Sequence, residues 1–317
     1  MTQPAKTVLL LGASGTIGQA TARALRAEGH RVLAPLRPGA EVPGVEALPF
    51  DLSPEVLTPI LTARGCQAVI SCLASRSGSP AEARAIDHGL NSAALASALG
   101  AGVGQFVLLS AICVQRPRLA FQHAKLAFEA ELCAAPLAWS IVRPTAYFKS
   151  LSGQVQRLRA GKPFLLFGNG ELTACKPISN DDLGRFLVLC LSDPALQNRI
   201  LPVGGPGPAI TPRRQGEMLF AALGLPPRFK HVPLGMMTAI VAGLSVLGLV
   251  SPRLRDKAEL ARIGRYYATE SMLVWDPVAG RHDAEATPEF GTETLADHYQ
   301  KLARNEVGDD RGAHAVF

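Results

Sequence analysis

The stretch TVLLLGASGTIG, Thr7–Gly18, decides the fold. An uncharged run leads straight into Gly12, Gly15 and Gly18, and a helix-compatible segment follows as far as Glu28. A buried run that turns through glycines into a helix is the opening of a nucleotide-binding sheet. The chemistry requires those glycines: a pyrophosphate must approach backbone N–H groups at a helix N-terminus, where a Cβ would obstruct it. A second apolar run, RVLAPLR over Arg31–Arg37, supplies the next strand.

Working outward, the runs VEALPF (Val45–Phe50), AVISCLA (Ala68–Ala74), QFVLLSA (Gln105–Ala111) and AWSIVR (Ala138–Arg143) continue the series. Helix-length segments lie between them, at Gly15–Glu28, Pro54–Arg64, Pro80–Leu99 and Leu119–Cys133. Continuous apolar runs, unlike alternating ones, belong to strands covered on both faces. The predicted class is therefore α/β: a Rossmann-type doubly wound parallel sheet with a smaller C-terminal substrate lobe. Residues 1–150 form the NADP-binding domain. Residues 151–304, where proline and glycine thicken (GGPGP at Gly204–Pro208), form the lobe, partly continuous with the sheet and with helices at Asp181–Leu191 and Pro212–Leu223. Residues 305–317 read as a flexible tail.

Composition narrows the function classes. The 317 residues are 48% hydrophobic and 18% charged, which supports a sizeable core and excludes a disordered chain. Six cysteines are scattered with no C-x-x-C pair, so neither a disulfide framework nor a metal site is expected. The net charge of +6 comes without a basic run interleaved with aromatics, which excludes nucleic acid as a partner. It suits an anionic cofactor, a carboxylate substrate or an acidic membrane face. Met1–Lys6 is a short polar lead without a targeting pattern, so the expected compartment is the cytoplasm.

Val232–Val250 contains no charge over 19 residues, barely enough to cross a bilayer, and Pro233 with three interior glycines opposes a span. Arg253, Arg255, Lys257, Arg262 and Arg265 follow, against Asp256 and Glu259. Two readings stand: a helix packed in the lobe or lining an apolar pocket, or peripheral contact with a membrane surface.

In the glycine turn the candidate cofactor-binding residues are Gly12, Ser14, Gly15, Thr16 and Ile17. The end of strand two selects the cofactor. An NAD site places an acid there for the ribose 2′-hydroxyl; this chain has Arg37, whose guanidinium suits a 2′-phosphate, and NADPH is expected. Asp51, with Leu52 in PFDLS, is placed to accept from the adenine amine. Leu73, Ala74 and Ser75 end strand four beneath the cofactor. Pro144, Thr145 and Phe148, after strand six, complete the set.

Short-chain dehydrogenases offer a serine and then Tyr-x-x-x-Lys on the next helix. Here Ser110 ends strand five, and the helix reads Phe121-Gln-His-Ala-Lys125. A phenyl ring transfers no proton, so alcohol–ketone chemistry is hard to run. Either NADPH binds without turnover, or the reaction leaves no alkoxide to protonate. Reduction of a carbon–carbon double bond conjugated to a large π-system fits the second case, because the charge left by hydride addition spreads through the system. The candidate catalytic residues are Lys125, Ser110 and Tyr147. Lys125 orients the nicotinamide ribose or relays a proton; Tyr147, in VRPTAYF, is an acid or a packing aromatic. His123 faces outward.

CLASR (Cys72–Arg76), FVLLSAICVQ (Phe106–Gln115), AKLAFEAEL (Ala124–Leu132), SIVRPTAYFKSLSGQV (Ser140–Val155), ACKPIS (Ala174–Ser179), PVGGPG (Pro202–Gly207), QGEMLF (Gln215–Phe220) and GRYYATESMLVWDP (Gly264–Pro277) carry a resemblance. The chain resembles the NADPH-dependent 8-vinyl-reductase family of the atypical short-chain dehydrogenases, in the NmrA/isoflavone-reductase-like group. The likeness spans nearly the whole chain and includes Phe-x-x-x-Lys. It implies an oxidoreductase that converts the 8-vinyl group of a divinyl (proto)chlorophyllide to ethyl, a tetrapyrrole substrate, and a place in chlorophyll or bacteriochlorophyll biosynthesis. The family's plant members carry a transit peptide, so the lead seen here points to a photosynthetic bacterium, with contact to the photosynthetic membrane as the peripheral option. Two rivals stand: an isoflavone-reductase-type enzyme, opposed by GRYYATESMLVWDP, and a non-enzymatic NmrA-like NADP(H) sensor.

Overall fold

A computed structural model describes residues 4–308. The chain divides into two compact units: Met1–Ser75, Pro80–Pro144 and Asn180–Pro202 form the first, and Arg76–Ser79, Thr145–Ser179 and Val203–Phe317 the second. The expected boundary at 150 thus falls inside the second unit, and residues 180–202 return to the first.

The first unit opens with β1 (Thr7–Leu11), α1 (Thr16–Ala27), β2 (Arg31–Pro35), β3 (Glu46–Leu48), α2 (Pro54–Ala63) and β4 (Ala68–Ser71). A helical segment follows in three pieces: α3 (Pro80–Glu82), a π-helical stretch Ala83–Leu90, and α4 (Asn91–Gly100). Then come β5 (Gln105–Leu109), α5 (Ala120–Cys133) and β6 (Ala138–Pro144). The second unit takes α6 (Phe148–Leu151), α7 (Val155–Arg159) and β7 (Phe164–Phe167), and the first regains α8 (Asn180–Leu189) and most of β8 (Arg199–Val203).

Seven strands run in the order β3-β2-β1-β4-β5-β6-β8. The pairings from β3 through β6 are parallel, with Leu9 opposite Val69, Val69 opposite Phe106 and Phe106 opposite Trp139. Val8, Leu9, Leu10 and Leu11 are all essentially inaccessible, as a strand covered on both faces requires. The order reverses at β1, between β2 and β4, and such a reversal opens a crevice at the strands' carboxyl ends. Helix α8 packs tightly on α1: a Cβ at Gly184 would lie 2.8 Å from the Ala20 backbone.

The rest of the second unit is α9 (Pro212–Leu223), β9 (Phe229–Val232), α10 (Leu234–Leu247), α11 (Pro252–Thr269), β10 (Val274–Asp276), β11 (Arg281–Asp283) and α12 (Leu295–Ala303). Phe148, Phe164, Leu166, Leu219, Phe220 and Tyr299 dominate its core, and β7 pairs in parallel with β9. Helix α10 stands apart from that core. Its composition is that of a buried helix, yet Val241 alone among its residues is buried. No helix among the described residues is long and apolar enough to cross a membrane. Val307 packs against the core; the remainder of the expected tail, from 309 onward, lies outside the described residues.

Candidate cofactor and catalytic site

The glycine turn is built by its own packing as well as for a ligand. Gly12 has φ +72°, and a Cβ there would lie 2.8 Å from the Cys72 carbonyl oxygen at the end of β4. A Cβ on Gly18 would collide with the Gly12 carbonyl at 2.1 Å. Both residues must be glycine for β1, β4 and α1 to meet. Gly15 differs: it is exposed, and its bare backbone forms the N-cap of α1. No side chain caps this helix and no acid occupies its first turn. Its N-terminal partial charge is left uncompensated by a side chain, and the turn fits a diphosphate. Ser14 is exposed beside it, Thr16 is half-buried, and Ile17 is buried beneath.

Arg37 is exposed two residues beyond β2, with its guanidinium 5.6 Å from the centre of the Phe50 ring. This stacking holds the cation at the strand edge. The exposed Asp51 carboxylate accepts from the Ser53 N–H at 2.9 Å, starting α2. Hydrogen bonds from Ser53, the backbone one first, draw its acidity below the usual aspartate value, so it is an anion and an acceptor at neutral pH. Leu52 is buried next to it.

Lys125 lies inside the unit with its ammonium 3.0 Å from Asp87 Oδ1; both side chains are nearly dry, at 9% and 1% exposure. Asp87 comes from the π-helical stretch, a geometry that recurs at functional sites. That stretch is anchored one turn on, where Asn91 Nδ2 donates to the Asp87 carbonyl and Ser71 Oγ donates to Asn91 Oδ1 at 2.6 Å. The Ser75 N–H approaches both Asp87 oxygens at 3.4 Å, which ties the end of β4 to the same carboxylate. An ammonium has three hydrogens. Asp87 is the carboxylate at ion-pair distance from it among the described residues, which leaves the ammonium with donor capacity for a further acceptor. Cys72 stands in the field of this ammonium, yet burial pushes its thiol up to about 12, so it is a neutral thiol. Leu73 is half-buried and Ala74 exposed along the same segment.

Ser110 is buried, and its hydroxyl donates to Glu129. Arg143 clasps the same carboxylate with two nitrogens, Nε at 3.2 Å on Oε1 and a terminal nitrogen on Oε2. The Ser110 proton is therefore committed to a buried ion pair. Phe121 and Lys125 lie one turn apart on the buried face of α5, and His123 is exposed.

Pro144 closes β6, buried. Thr145, Tyr147 and Phe148 belong to the second unit. The Thr145 hydroxyl donates to the Lys176 carbonyl. Tyr147 is half-buried, and its backbone bridges to Ile178. Phe148, 1% exposed, is a core residue with its ring 5.3 Å from His298, so its side chain is spent on packing. Sequence reasoning passed over Asp87, Glu129 and Arg143. Their signal was slight: Glu129 follows Lys125 at i+4, and Asp87 sits in RAIDHGL, which reads as a solvated helix.

Residues 12–194 match the family model described as NAD(P)H-binding. With its reversed strand order and exposed Gly15 turn, the first unit is an NAD(P)H-binding unit of Rossmann type. The whole chain is 44% identical to the chloroplastic divinyl chlorophyllide a 8-vinyl-reductase of Oryza sativa subsp. indica, over 98% of this chain and 82% of that protein. It is 40% identical to that of Arabidopsis thaliana, over 98% and 80%. The chain belongs to the divinyl chlorophyllide a 8-vinyl-reductase family. An NADPH-dependent quinone oxidoreductase from Escherichia coli, solved with NADPH, shares the fold at 16% identity (TM-score 0.67, over 93% of this chain and 99% of that one).

Proposed function

We infer that this chain is an NADPH-dependent oxidoreductase that reduces the 8-vinyl group of a 3,8-divinyl (proto)chlorophyllide to ethyl. The observation that carries this reading is the likeness to 8-vinyl-reductases over 98% of the chain. A helix that keeps Lys125 and replaces the phenol by Phe121 agrees with it.

NADPH, when bound, supplies the hydride. The chain's residues bind, orient and exclude water. The Gly15 turn with Ser14, Thr16 and Ile17 holds the diphosphate; Arg37 takes the 2′-phosphate; Asp51 accepts from the adenine amine. Asp87 fixes the Lys125 ammonium, and the spare donor capacity of that ammonium binds the nicotinamide ribose hydroxyls. Leu73, Ala74 and Ser75 support the nucleotide from the end of β4. Ser110, with its proton on Glu129, is a positioning residue in this scheme. Phe121 keeps the neighbourhood of Lys125 apolar. No phenol is needed there, because the negative charge delivered to the substrate spreads over the macrocycle. Tyr147 is the proposed acid for the slower protonation that follows. The protein works in the cytoplasm, in peripheral contact with the photosynthetic membrane.

The test is an anaerobic incubation with NADPH or NADH and 3,8-divinyl chlorophyllide a, read by chromatography for the 8-ethyl product. Product with NADPH and little with NADH is expected. Tight NADPH binding without product would replace the enzyme by a nucleotide sensor.

A further inference from the structure

Helix α10 contradicts its own composition. Fourteen residues, LGMMTAIVAGLSVL, carry no charge, yet Met236, Ile240, Val246 and Leu247 are between 48% and 67% exposed. The turn beyond is more open still, with Leu249 at 86% and Val250 at 85%. Helix α10 packs lengthwise on α11 and on little else. At the turn a Cβ on Gly248 would come within 3.0 Å of the Arg255 backbone, so the two helices fold back closely into a hairpin. Contiguous exposed apolar surface on this scale marks an interaction site.

The charges around the apex choose the partner. Arg255 and Lys257 are exposed on the first turns of α11, with no carboxylate at salt-bridge distance among the described residues. Glu259, the buried acid on the same helix, is already paired with Arg262, which also donates to Ser245 of α10 at 2.8 Å. Asp256 is the one exposed acid on the first turns of α11 among the described residues. An apolar tip with cations one turn behind it matches the acyl–headgroup boundary of an anionic bilayer. A helix of this length reaches about 21 Å, short of a hydrocarbon core of about 30 Å, so it dips in without crossing.

We propose that the α10–α11 hairpin inserts its Val246–Val250 apex into the surface of an anionic lipid bilayer, with Arg255 and Lys257 on the headgroups. This rests on the peripheral-membrane reading above and supplies its surface; it is independent of the redox reaction.

The experiment is flotation of the full chain with vesicles of phosphatidylcholine alone or with 30–40% phosphatidylglycerol, roughly the charge density at which basic segments bind. Binding to the anionic vesicles, weakened by salt, is expected. Leu249→Asp with Val250→Asp should lower it at least about tenfold, and Arg255→Gln with Lys257→Gln should abolish the preference for anionic lipid. Light scattering and turnover of detergent-dispersed divinyl chlorophyllide are read on the same variants. Unaltered mass and turnover support the proposal. Three results overturn it: no vesicle binding by the native chain, equal binding by the Asp variant, or a shift from dimer to monomer in that variant. An inactive protein that still floats would defeat the enzymatic reading and leave this surface standing.

Discussion

Two buried ion pairs hang from one face of α5, a single turn apart, and they differ in what they leave over. Glu129 has both oxygens engaged: one accepts from Ser110 and Arg143, the other from Arg143 again. Lys125 pairs with Asp87 and keeps donor capacity to spare. Burial costs both pairs desolvation, and each offsets it by pairing. A pair with both oxygens engaged is suited to hold the fold, whereas a buried cation with unspent donors is suited to receive a ligand, the role proposed for Lys125. On this reading the same helix serves stability through residue 129 and the proposed chemistry through residue 125.

That distinction breaks most visibly through Glu129→Ala. Arg143, 14% exposed, would be left as an uncompensated buried charge. The expected loss is about 3–5 kcal/mol of stability, read as a fall in urea midpoint. A variant that unfolds at the native midpoint would show that the clasp is not structural.

Lys125→Ala should act on the other axis. Turnover is expected to fall about a hundredfold or more, in the range of a lost acid–base or orienting group. NADPH affinity should fall less, because the proposed scheme holds the phosphates at Gly15 and Arg37. Near-native turnover would remove Lys125 from the chemistry and reduce the two pairs to one kind. Arg37→Ala comes next. Its exposed guanidinium should account for about a tenfold preference for NADPH, with NADH barely affected. Equal weakening of both cofactors would sink the 2′-phosphate assignment.

Asp87→Asn is smaller and sharper. The amide keeps an oxygen near Lys125 and loses the charge, so turnover should fall about five- to tenfold, with less change in KM. Asp87→Ala, which leaves no acceptor, should fall further; if Asn and Ala behave alike, Asp87 is packing and not a positioning residue.

These residues also show where sequence reading stops. Strands β1, β4 and β5 were legible because burial on both faces leaves an uninterrupted apolar run, and the glycine turn because the meeting of β1, β4 and α1 admits no Cβ at Gly12 or Gly18. Asp87 was not legible: its inward position depends on the i+5 spacing of the π-helical stretch, and helix patterns are read at i+3 and i+4. Glu129 gave no signal in the sequence because its partner, Arg143, comes from another element. Phe148 looked like a cofactor neighbour and is core, because the core that claims it is assembled from α9 and α12, far along the chain. Helix α10 is the opposite case: the sequence leaves a packed helix and a surface-lying one both open, and the structure leaves the helix largely exposed, since an apolar run reports what a segment prefers and not whether the fold covers it.

Phe121→Tyr should do least, and it tests the chemistry most directly. Phe121 occupies the place of the missing phenol, one turn before Lys125, and is 9% exposed. The substitution adds a hydroxyl to a nearly dry position, where it has either to find an acceptor or to cost about 1–3 kcal/mol as a buried unpaired group. It also adds a proton donor with an ordinary pKa of about 10, the group that alcohol chemistry would use. If the charge left by the hydride spreads over a macrocycle, no oxygen waits for that proton and turnover should stay within about twofold of native or decline. A rise would mean that charge gathers on one atom near residue 121, and the substrate would then be a carbonyl in place of a conjugated vinyl group.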